Sequence, residues 1–552
     1  MAPTAVDYEK ALDVSGHASQ AWSGDAAMRF DSQSSRAKGS DIYAQDDARL
    51  EALGYKRELN RVMGYYTNFG MAFTIVSILT GLTGLYTLGF TYGGPVVITW
   101  GWLVSVLFTC AVAASLAEIC SAFPSAGGVY LYTYQLAGPK HRAFAAWLAG
   151  WLNLTGEAAV TAGIVYTFAT TLANVILIAL PPGSTFPAAS PKMLLLYYGL
   201  TLLWAGVVNT CTVRVVSFLD GISVAWHCLG TVVFAIVLLA VAPTRQSGSY
   251  VFGAFNAAES SGVPGHAYVY LLGLLMSMFT LTGYDASGKM AEESRNAAKV
   301  APFGIFMTVV ISGLVGFIYL LAITFSIQDP STLLDPANAT GGTFVVGQVV
   351  LDAFMARSGS GSGNEAFARG SAAALLCVPL VAQLFCSMSS VTGNSRTLWS
   401  FARDKAVPGH RWLARVSAIS DTPVASTWVM VAAAFLLGLP MLGSTVAFAA
   451  ITSLATIGLY ISYAIPIFFR LVNGSNTFKP GPVHLGRAGV PVAVIALLWV
   501  AFLTVLFVLP TAYPVTHVNL NYAGVTVAGV LLFSIGWWVL SARRWFDGPN
   551  TV

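Results

Sequence analysis

The chain has 552 residues, of which 56% are hydrophobic and only 9% are charged, and its mean hydropathy is +0.69. Soluble domains carry about 25% charged residues, so this composition excludes an ordinary globular fold. The net charge of +4 is small and spread along the chain, which argues against a nucleic-acid partner.

The first sixty residues are polar and lack the apolar stretch of a cleavable signal peptide, so we expect the first membrane span to serve as an uncleaved signal. Residues 1 to about 45 have the composition of a disordered segment. We therefore divide the chain into a mostly disordered cytoplasmic tail (1–60), a transmembrane domain (61–545) and a short cytoplasmic C-terminus (546–552).

Apolar runs of the roughly 20 residues that cross a bilayer as a helix recur from residue 65 onward. They are continuously apolar rather than alternating, which favours helices over a membrane barrel. We predict an all-α membrane protein whose third and eighth spans are long enough to tilt or extend beyond the bilayer. The predicted spans, about twelve, lie near 65–88, 95–117, 143–179, 193–210, 216–242, 267–290, 302–326, 370–400, 424–441, 443–469, 489–509 and 522–541.

Basic residues set the predicted orientation, because cytoplasmic loops of membrane proteins are enriched in Lys and Arg. An N-terminus inside the cell places most of the 28 basic residues on the cytoplasmic side, and both termini are then cytoplasmic. The loop 327–369 is then outside, where Asn338-Ala339-Thr340 is a candidate N-glycosylation site. Its apolar stretch 344–355 predicts a short amphipathic helix on the outer face. The four basic residues expected outside are Lys192, Arg245, Arg357 and Arg369.

Spans 1 and 6 share a Leu-Thr-Gly sequence, at 79–81 and 281–283. Transporters built from inverted repeats bind substrate where two corresponding helices are interrupted. The interruption leaves backbone N–H and C=O groups without helical partners, and these suit a carboxylate and an ammonium group. The alternative is that the glycines only let helices pack closely, but their paired placement favours a site. The candidate substrate-binding residues are Ser77, Leu79, Thr80, Gly81, Leu82, Phe279, Thr282, Gly283, Tyr284 and Asp285.

Ionisable residues within spans are costly and are therefore functional candidates. Asp285 follows the span 6 glycine and is a candidate contact for substrate or proton; the alternative is a cap or a salt bridge with Lys289 one turn on. Glu157 has no basic partner near in sequence, so it is a proton acceptor or a buried neutral carboxyl. His227 is a candidate pH sensor or a structural histidine. Asp220 lies close enough to the cytoplasmic end of span 5 to reach water or Arg214.

Several longer motifs occur in a fixed order along the chain. Through them the sequence resembles the amino acid, polyamine and organocation transporter superfamily over about 48–549. The motifs are Ala-Glu-Ile-Cys-Ser-Ala-Phe-Pro-Ser-Ala-Gly-Gly-Val-Tyr at 117–130, Gly-Tyr-Asp-Ala-Ser at 283–287, Ala-Glu-Glu-Ser-Arg-Asn-Ala at 291–297, Asn-Ser-Arg at 394–396 and Ala-Arg-Asp at 402–404.

Three further phrases, at 48–56, 389–396 and 464–470, are most similar to the amino acid/choline transporter branch, which includes GABA permeases, choline permeases and plant bidirectional amino acid transporters. The resemblance implies a five-plus-five inverted repeat with helices 1 and 6 broken and two helices added. It also implies that residues 80–82 and 282–283 hold the substrate, and Leu79 then narrows the pocket.

The same resemblance implies two ways to couple transport to an ion. Relatives that use sodium hold it between helices 1 and 8, where this chain offers Ser387, Ser389 and Ser390. Some proton-coupled relatives carry a lysine on helix 5, at the place that His227 takes here.

We therefore expect a transporter of amino acids or related amines that works by alternating access, either proton-coupled or bidirectional. A choline or polyamine permease is the alternative, a non-transporting sensor is less favoured, and an enzyme is not expected because no nucleophile stands with a base. We expect no cofactor and no bound metal. The partners are the substrate, the lipid bilayer and protons, and the oligomeric state is left open. We place the chain in the plasma membrane, with vacuolar, Golgi and mitochondrial membranes as alternatives.

Overall fold

The computed structural model describes residues 43–258, 261–359, 362–517 and 519–549. Within these ranges, eleven helices are long and apolar enough to cross a membrane, and the predicted sixth span is a shorter apolar helix. The protein is therefore an integral, multi-pass membrane protein with an all-α fold. The predicted disorder of the tail falls mainly outside the described residues, since the structure begins with a helix over 43–52.

Each predicted span corresponds to helical structure. Lipid offers no hydrogen bonds, so the backbone of an apolar run satisfies its own polar groups by forming a helix. In chain order the helices are Tyr65–Val76 and Ile78–Thr91 (span 1), Gly94–Val96, Val97–Gly101 and Trp102–Ala122 (span 2), Arg142–Ala179 (span 3), Pro191–Thr210 (span 4), Val213–Val241 (span 5), His266–Thr280 and Ala286–Lys289 (span 6), Ala297–Phe325 (span 7), Ser362–Arg403 (span 8), Val424–Gly438 (span 9), Thr445–Thr477 (span 10), Gly489–Leu506 (span 11) and Ala523–Leu540 (span 12).

Spans 3 and 8 are long, as predicted, with 38 and 42 residues. At about 1.5 Å per residue each is far longer than the roughly 30 Å hydrocarbon core, so both extend past the bilayer. Span 3 packs along spans 8 and 10, whereas span 7 packs along spans 2 and 1. The bundle thus contains two groups of helices, and the interrupted spans lie where these groups meet.

Spans 1 and 6 are both interrupted. In span 1 the interruption is at Ser77, whose φ of 26° ends one helix and whose side chain accepts a hydrogen bond from the amide of Thr80 in the next. In span 6 it covers residues 281–285, and Gly283 has a φ of +88°. Left-handed backbone geometry is accessible to glycine without steric cost, which explains the glycine in span 6.

The predicted helix in the outer loop is present as Val345–Ser358. Its residues 345–351 are buried, and it packs against spans 8 and 1. The helix is therefore part of the bundle rather than an amphipathic helix lying on its surface.

Candidate functional site

Spans 1 and 6 approach each other closely near their interruptions, at one glycine of each span. A Cβ atom added to Gly283 would lie 2.6 Å from Cγ2 of Ile75, near the end of the first half of span 1. A Cβ atom on Gly81 would overlap the side chain of Thr280, which ends the first half of span 6. Each glycine thus allows a close approach between the two spans that a larger residue would prevent.

Backbone groups at the two interruptions lack helical partners. Among the described residues, no backbone hydrogen bond is donated by the amides of Gly283 and Tyr284, which lie outside the helices. Ile78 and Leu79 begin the second half of span 1, and the first amides of a helix have no partner within that helix. The carbonyl of Leu281 accepts a hydrogen bond from the Tyr460 hydroxyl at 3.2 Å. Unpaired N–H groups at the start of a helix attract anionic groups, so these positions can hold a carboxylate.

Three charged side chains meet beside the interruption of span 6. The ammonium of Lys289 forms ion pairs with Glu157 of span 3 and, at 2.6 Å, with Oδ2 of Asp285. All three side chains are buried, with at most 6% of their surface exposed. The salt bridge from Asp285 to Lys289, considered above as one of two alternatives, is present. The same ammonium also pairs with Glu157, which lies 132 residues away from Lys289 in the sequence.

Polar groups from spans 3, 8 and 10 complete this cluster. The hydroxyl of Tyr463 donates to Oδ1 of Asp285 at 2.6 Å, and the amide of Asn153 lies 3.5 Å from Oδ2. Thr397 donates to Oε1 of Glu157 at 3.1 Å. The other oxygen of Glu157, Oε2, is buried and has no hydrogen-bond partner within the described residues.

A small cavity adjoins the charged cluster, with about 20 Å³ open to a water-sized sphere. That volume holds about one water molecule, so the site is closed around it. The cavity touches spans 1, 3, 6, 8 and 10 at Ile75, Glu157, Val160, Gly283, Ala286, Lys289, Ser390, Gly393, Asn394 and Leu459.

The remaining predicted substrate residues lie around the interruptions but do not line this cavity. Leu79 points toward Gly230 of span 5, and Phe279 toward Gly163 of span 3, as the close approach of their atoms shows. Tyr284 lies beside Tyr463, with ring centroids 5.3 Å apart and the two rings tilted by 47°. Three others are buried in the same region, namely Thr80, Leu82 and Thr282.

His227 contacts the interruption of span 1 directly. Its Nε2 is 2.7 Å from the Ser77 hydroxyl, and its Nδ1 is 2.8 Å from the carbonyl of Ser223. A proton on Nδ1 donates to that carbonyl, which leaves Nε2 to accept from Ser77. The same hydroxyl is 2.5 Å from Oγ1 of Thr80, so His227 and the start of the second half-helix share one hydrogen-bond network.

The three serines of span 8 have separate partners. Ser387 donates to the carbonyl of Leu384, and Ser389 donates to Asp220 at 2.8 Å. Ser390 is 2.5 Å from Thr161. Asp220 is fully enclosed at 1% exposure, so the expectation that it reaches water is wrong in this conformation.

The sequence motifs converge on the predicted cytoplasmic side. Glu292 forms a bidentate ion pair with Arg403 and accepts hydrogen bonds from Ser125 and from the amide of Ala126. Burial alone would raise the pKa of the Glu292 carboxyl, but the guanidinium and the hydrogen bonds outweigh it and hold that pKa below its ordinary value. Glu293 accepts one hydrogen bond from Nε of Arg396, at 3.0 Å to Oε1.

Residues just before span 1 join this cytoplasmic network. The Arg403 guanidinium lies over the ring of Tyr55, 4.1 Å from its centroid, while the Tyr55 hydroxyl donates to Asp404 at 2.8 Å. Met63 exchanges backbone hydrogen bonds with Glu293 and Arg295. The network therefore ties span 6 to span 8 and closes the bundle on this side.

Asn338 lies in the outer loop with its side-chain amide engaged. Its nitrogen donates to the carbonyls of Thr332 and Leu333, and its oxygen accepts from Thr340 and Gly342. The predicted glycosylation of Asn338 remains a prediction.

Lys289, considered above only as a partner of Asp285, also lines the cavity. It lies within the predicted span 267–290, so the rule that makes ionisable residues within spans functional candidates applies to it as well. Asn394 also lines the cavity and donates to the backbone carbonyl of Glu157 at 3.2 Å, whereas the sequence indicates it only as part of the Asn-Ser-Arg motif.

Comparison with known proteins places these observations in a family. Residues 64–532 match the family model described as amino acid permease. The chain is 42% identical over 507 residues to the amino-acid permease BAT1 homolog of Oryza sativa subsp. japonica, which covers 91% of this chain and 95% of that relative. It is 40% identical over 505 residues to the amino-acid permease BAT1 of Arabidopsis thaliana, with the same coverage. Amino-acid permease 2 of Neurospora crassa is 29% identical over 530 residues, or 96% of this chain and 92% of that relative.

Proposed function

Because this chain belongs to the amino acid permease family, whose members are transporters rather than enzymes, we propose that it moves an amino acid or a related amine by alternating access. The observation that carries the proposal is the paired interruption of spans 1 and 6 beside a buried, charged cavity. Inverted-repeat transporters bind their substrates at such paired interruptions.

The site offers complementary groups to both ends of an amino acid. The unpaired amides of Gly283 and Tyr284, together with the first amides of the second half of span 1, bind the substrate carboxylate. Glu157, with one oxygen unpartnered, binds the amino group through a charge-assisted hydrogen bond. In this proposal the residues at 77–82 and 279–285 form the walls around the substrate.

The closed cavity supports a mechanism with large movements. It has room for about one water, so a substrate enters only when spans 1, 2, 6 and 7 move relative to spans 3, 8 and 10. The cytoplasmic ion pairs between Glu292 and Arg403 and between Glu293 and Arg396 cross this boundary, so they separate when the site opens inward. Alternating access by rocking of one helix group against another fits this division.

We propose His227 as the pH-sensitive group. Protonation would turn its Nε2 from an acceptor into a donor, which reverses the hydrogen bond to Ser77. Ser77 and Thr80 would then reorganise at the interruption of span 1. This gives a direct route from proton binding to the substrate site without a bound metal ion.

Uptake of labelled amino acids by purified protein in proteoliposomes tests the proposal. We expect saturable accumulation above protein-free vesicles, and its competition by unlabelled amino acids, GABA, choline and spermidine identifies the substrate class. Gly283→Leu serves as the matched inactive control because it fills the interruption. Competition by choline or spermidine alone favours the alternative permease, and binding without uptake favours a sensor.

A further inference from the structure

The charged cluster at the cavity has unequal numbers of positive and negative groups. Glu157 and Asp285 supply two carboxylates, whereas Lys289 supplies one ammonium. With both carboxylates ionised, the cluster carries one excess negative charge in a buried environment, where charge interactions are strong.

One carboxylate oxygen marks where a further donor belongs. Oε2 of Glu157 is buried without a hydrogen-bond partner among the described residues, and Glu157 lines the cavity together with Lys289. A buried charged oxygen left unpaired costs free energy. The empty volume, the orphan oxygen and the excess charge all favour a cationic group at the same place.

We propose that Lys289 is an internal counter-ion, whose ammonium takes the position between Glu157 and Asp285 that a cationic group of the substrate occupies during transport. This inference rests on the proposed function and specifies it. A lysine ammonium is a point charge on a flexible four-carbon chain, so it can leave this position and return without backbone movement.

The proposal defines the preferred substrate by its charge. A basic amino acid carries a net positive charge, which replaces the charge of Lys289 when its extra ammonium or guanidinium group displaces that lysine from Glu157. A zwitterionic amino acid adds no net charge and leaves the two carboxylates without compensation once Lys289 has moved away. We therefore expect arginine or lysine to be favoured over alanine.

The proposal also gives Lys289 a role in the empty transporter. When substrate has left, two buried carboxylates close together repel each other unless a cation separates them. Lys289 supplies that cation, so the empty transporter can return and repeat the cycle. Without it, the transporter returns only when loaded and therefore behaves as an exchanger.

The test compares net uptake with exchange in Lys289→Met, using labelled arginine and labelled alanine in proteoliposomes. Net uptake is measured into empty vesicles, and exchange into vesicles preloaded with the same unlabelled amino acid. We expect the ratio of exchange to net uptake to rise at least about tenfold, and the KM for arginine in exchange to fall by a similar factor, as the coupling of close charge pairs allows. The KM for alanine should change much less. Lys299→Met, at an exposed lysine just inside span 7, is the matched control and should leave the ratio unchanged.

A second variant covers the case in which Lys289→Met does not fold. Glu157→Gln combined with Lys289→Gln removes one charge of each sign, so the empty site no longer holds two carboxylates that repel each other, and we expect its ratio of exchange to net uptake to stay near the wild-type value. A Lys289→Met protein with the wild-type ratio and wild-type KM values overturns the inference, as does a wild type that carries alanine but not arginine. A wild type that carries no amino acid instead refutes the proposed function.

Discussion

Replacing Gly283 by alanine tests whether the interruption of span 6 is part of the transport site. The φ of +88° at this position costs an alanine about 1–2 kcal/mol, because its Cβ meets the following carbonyl. The new Cβ would also lie 2.6 Å from Ile75, and overpacking of this kind costs about 1–3 kcal/mol. We expect the backbone at 281–285 to shift, moving the amides of Gly283 and Tyr284 and reducing transport strongly.

Gly265→Ala is the matched control for backbone strain. Gly265 lies just before the first half of span 6 with a φ of +82°, but a Cβ there meets nothing within 4 Å. Both variants therefore carry the strain, and only Gly283→Ala carries the clash at the interruption. Tm in detergent reports the stability of each, and initial uptake rates normalised to inserted protein report function.

The result that refutes this reasoning is specific. If Gly283→Ala transports with the wild-type KM and rate, or if both variants lose activity in proportion to their loss of Tm, the interruption has no special role. Leucine at Gly283 or Gly81 extends the series, since the larger side chain should abolish uptake while membrane insertion stays near normal.

Three further perturbations give separate outcomes. His227→Asn should flatten the pH dependence of uptake while downhill exchange persists, and an unchanged pH profile would mark His227 as a packing residue. Glu292→Gln should lower Tm at neutral pH because it leaves Arg403 buried without its carboxylate. Since the pKa of Glu292 is depressed, this Tm difference should shrink as the pH falls below the ordinary glutamate pKa of about 4.3. Deleting residues 2–40 should leave the KM of purified protein unchanged, and a large shift in KM would contradict the prediction of a tail dispensable for transport.

The sequence predicts the spans well because each span must be apolar over its own length, and that is a local property. It predicts the interruption of span 6 at Gly283, where a glycine and a left-handed backbone coincide. In span 1 the shared Leu-Thr-Gly is misleading by about one turn, since Gly81 lies inside the second half-helix and Ser77 forms the interruption. The Ser77 side chain caps the second half-helix and so sets where span 1 is interrupted. Whether a serine within a span acts as a cap depends on the local backbone geometry, which the sequence composition does not reveal.

The contacts that define the site are not local. Glu157 and Lys289 are 132 residues apart, and Ser77 and His227 are 150 residues apart. Hydropathy identifies each of these side chains only as a polar or ionisable residue within an apolar span or close to its end. Which of them pair depends on how the spans pack, so the sequence left open the roles of Glu157, His227 and Asp285.

The family motifs and the cavity are formed largely by different residues, and this separation has a physical reason. Glu292, Arg396 and Arg403 belong to motifs that carry the resemblance, and they form ion pairs on the predicted cytoplasmic side. Opening and closing this side is required whatever the substrate is. Glu157 lies outside those motifs, and Lys289 lies between two of them. Substitutions at the cavity can therefore change which amino acid is carried while the machinery of opening and closing stays the same, and a chimaera that exchanges only cavity residues with a relative should exchange substrate preference without losing transport.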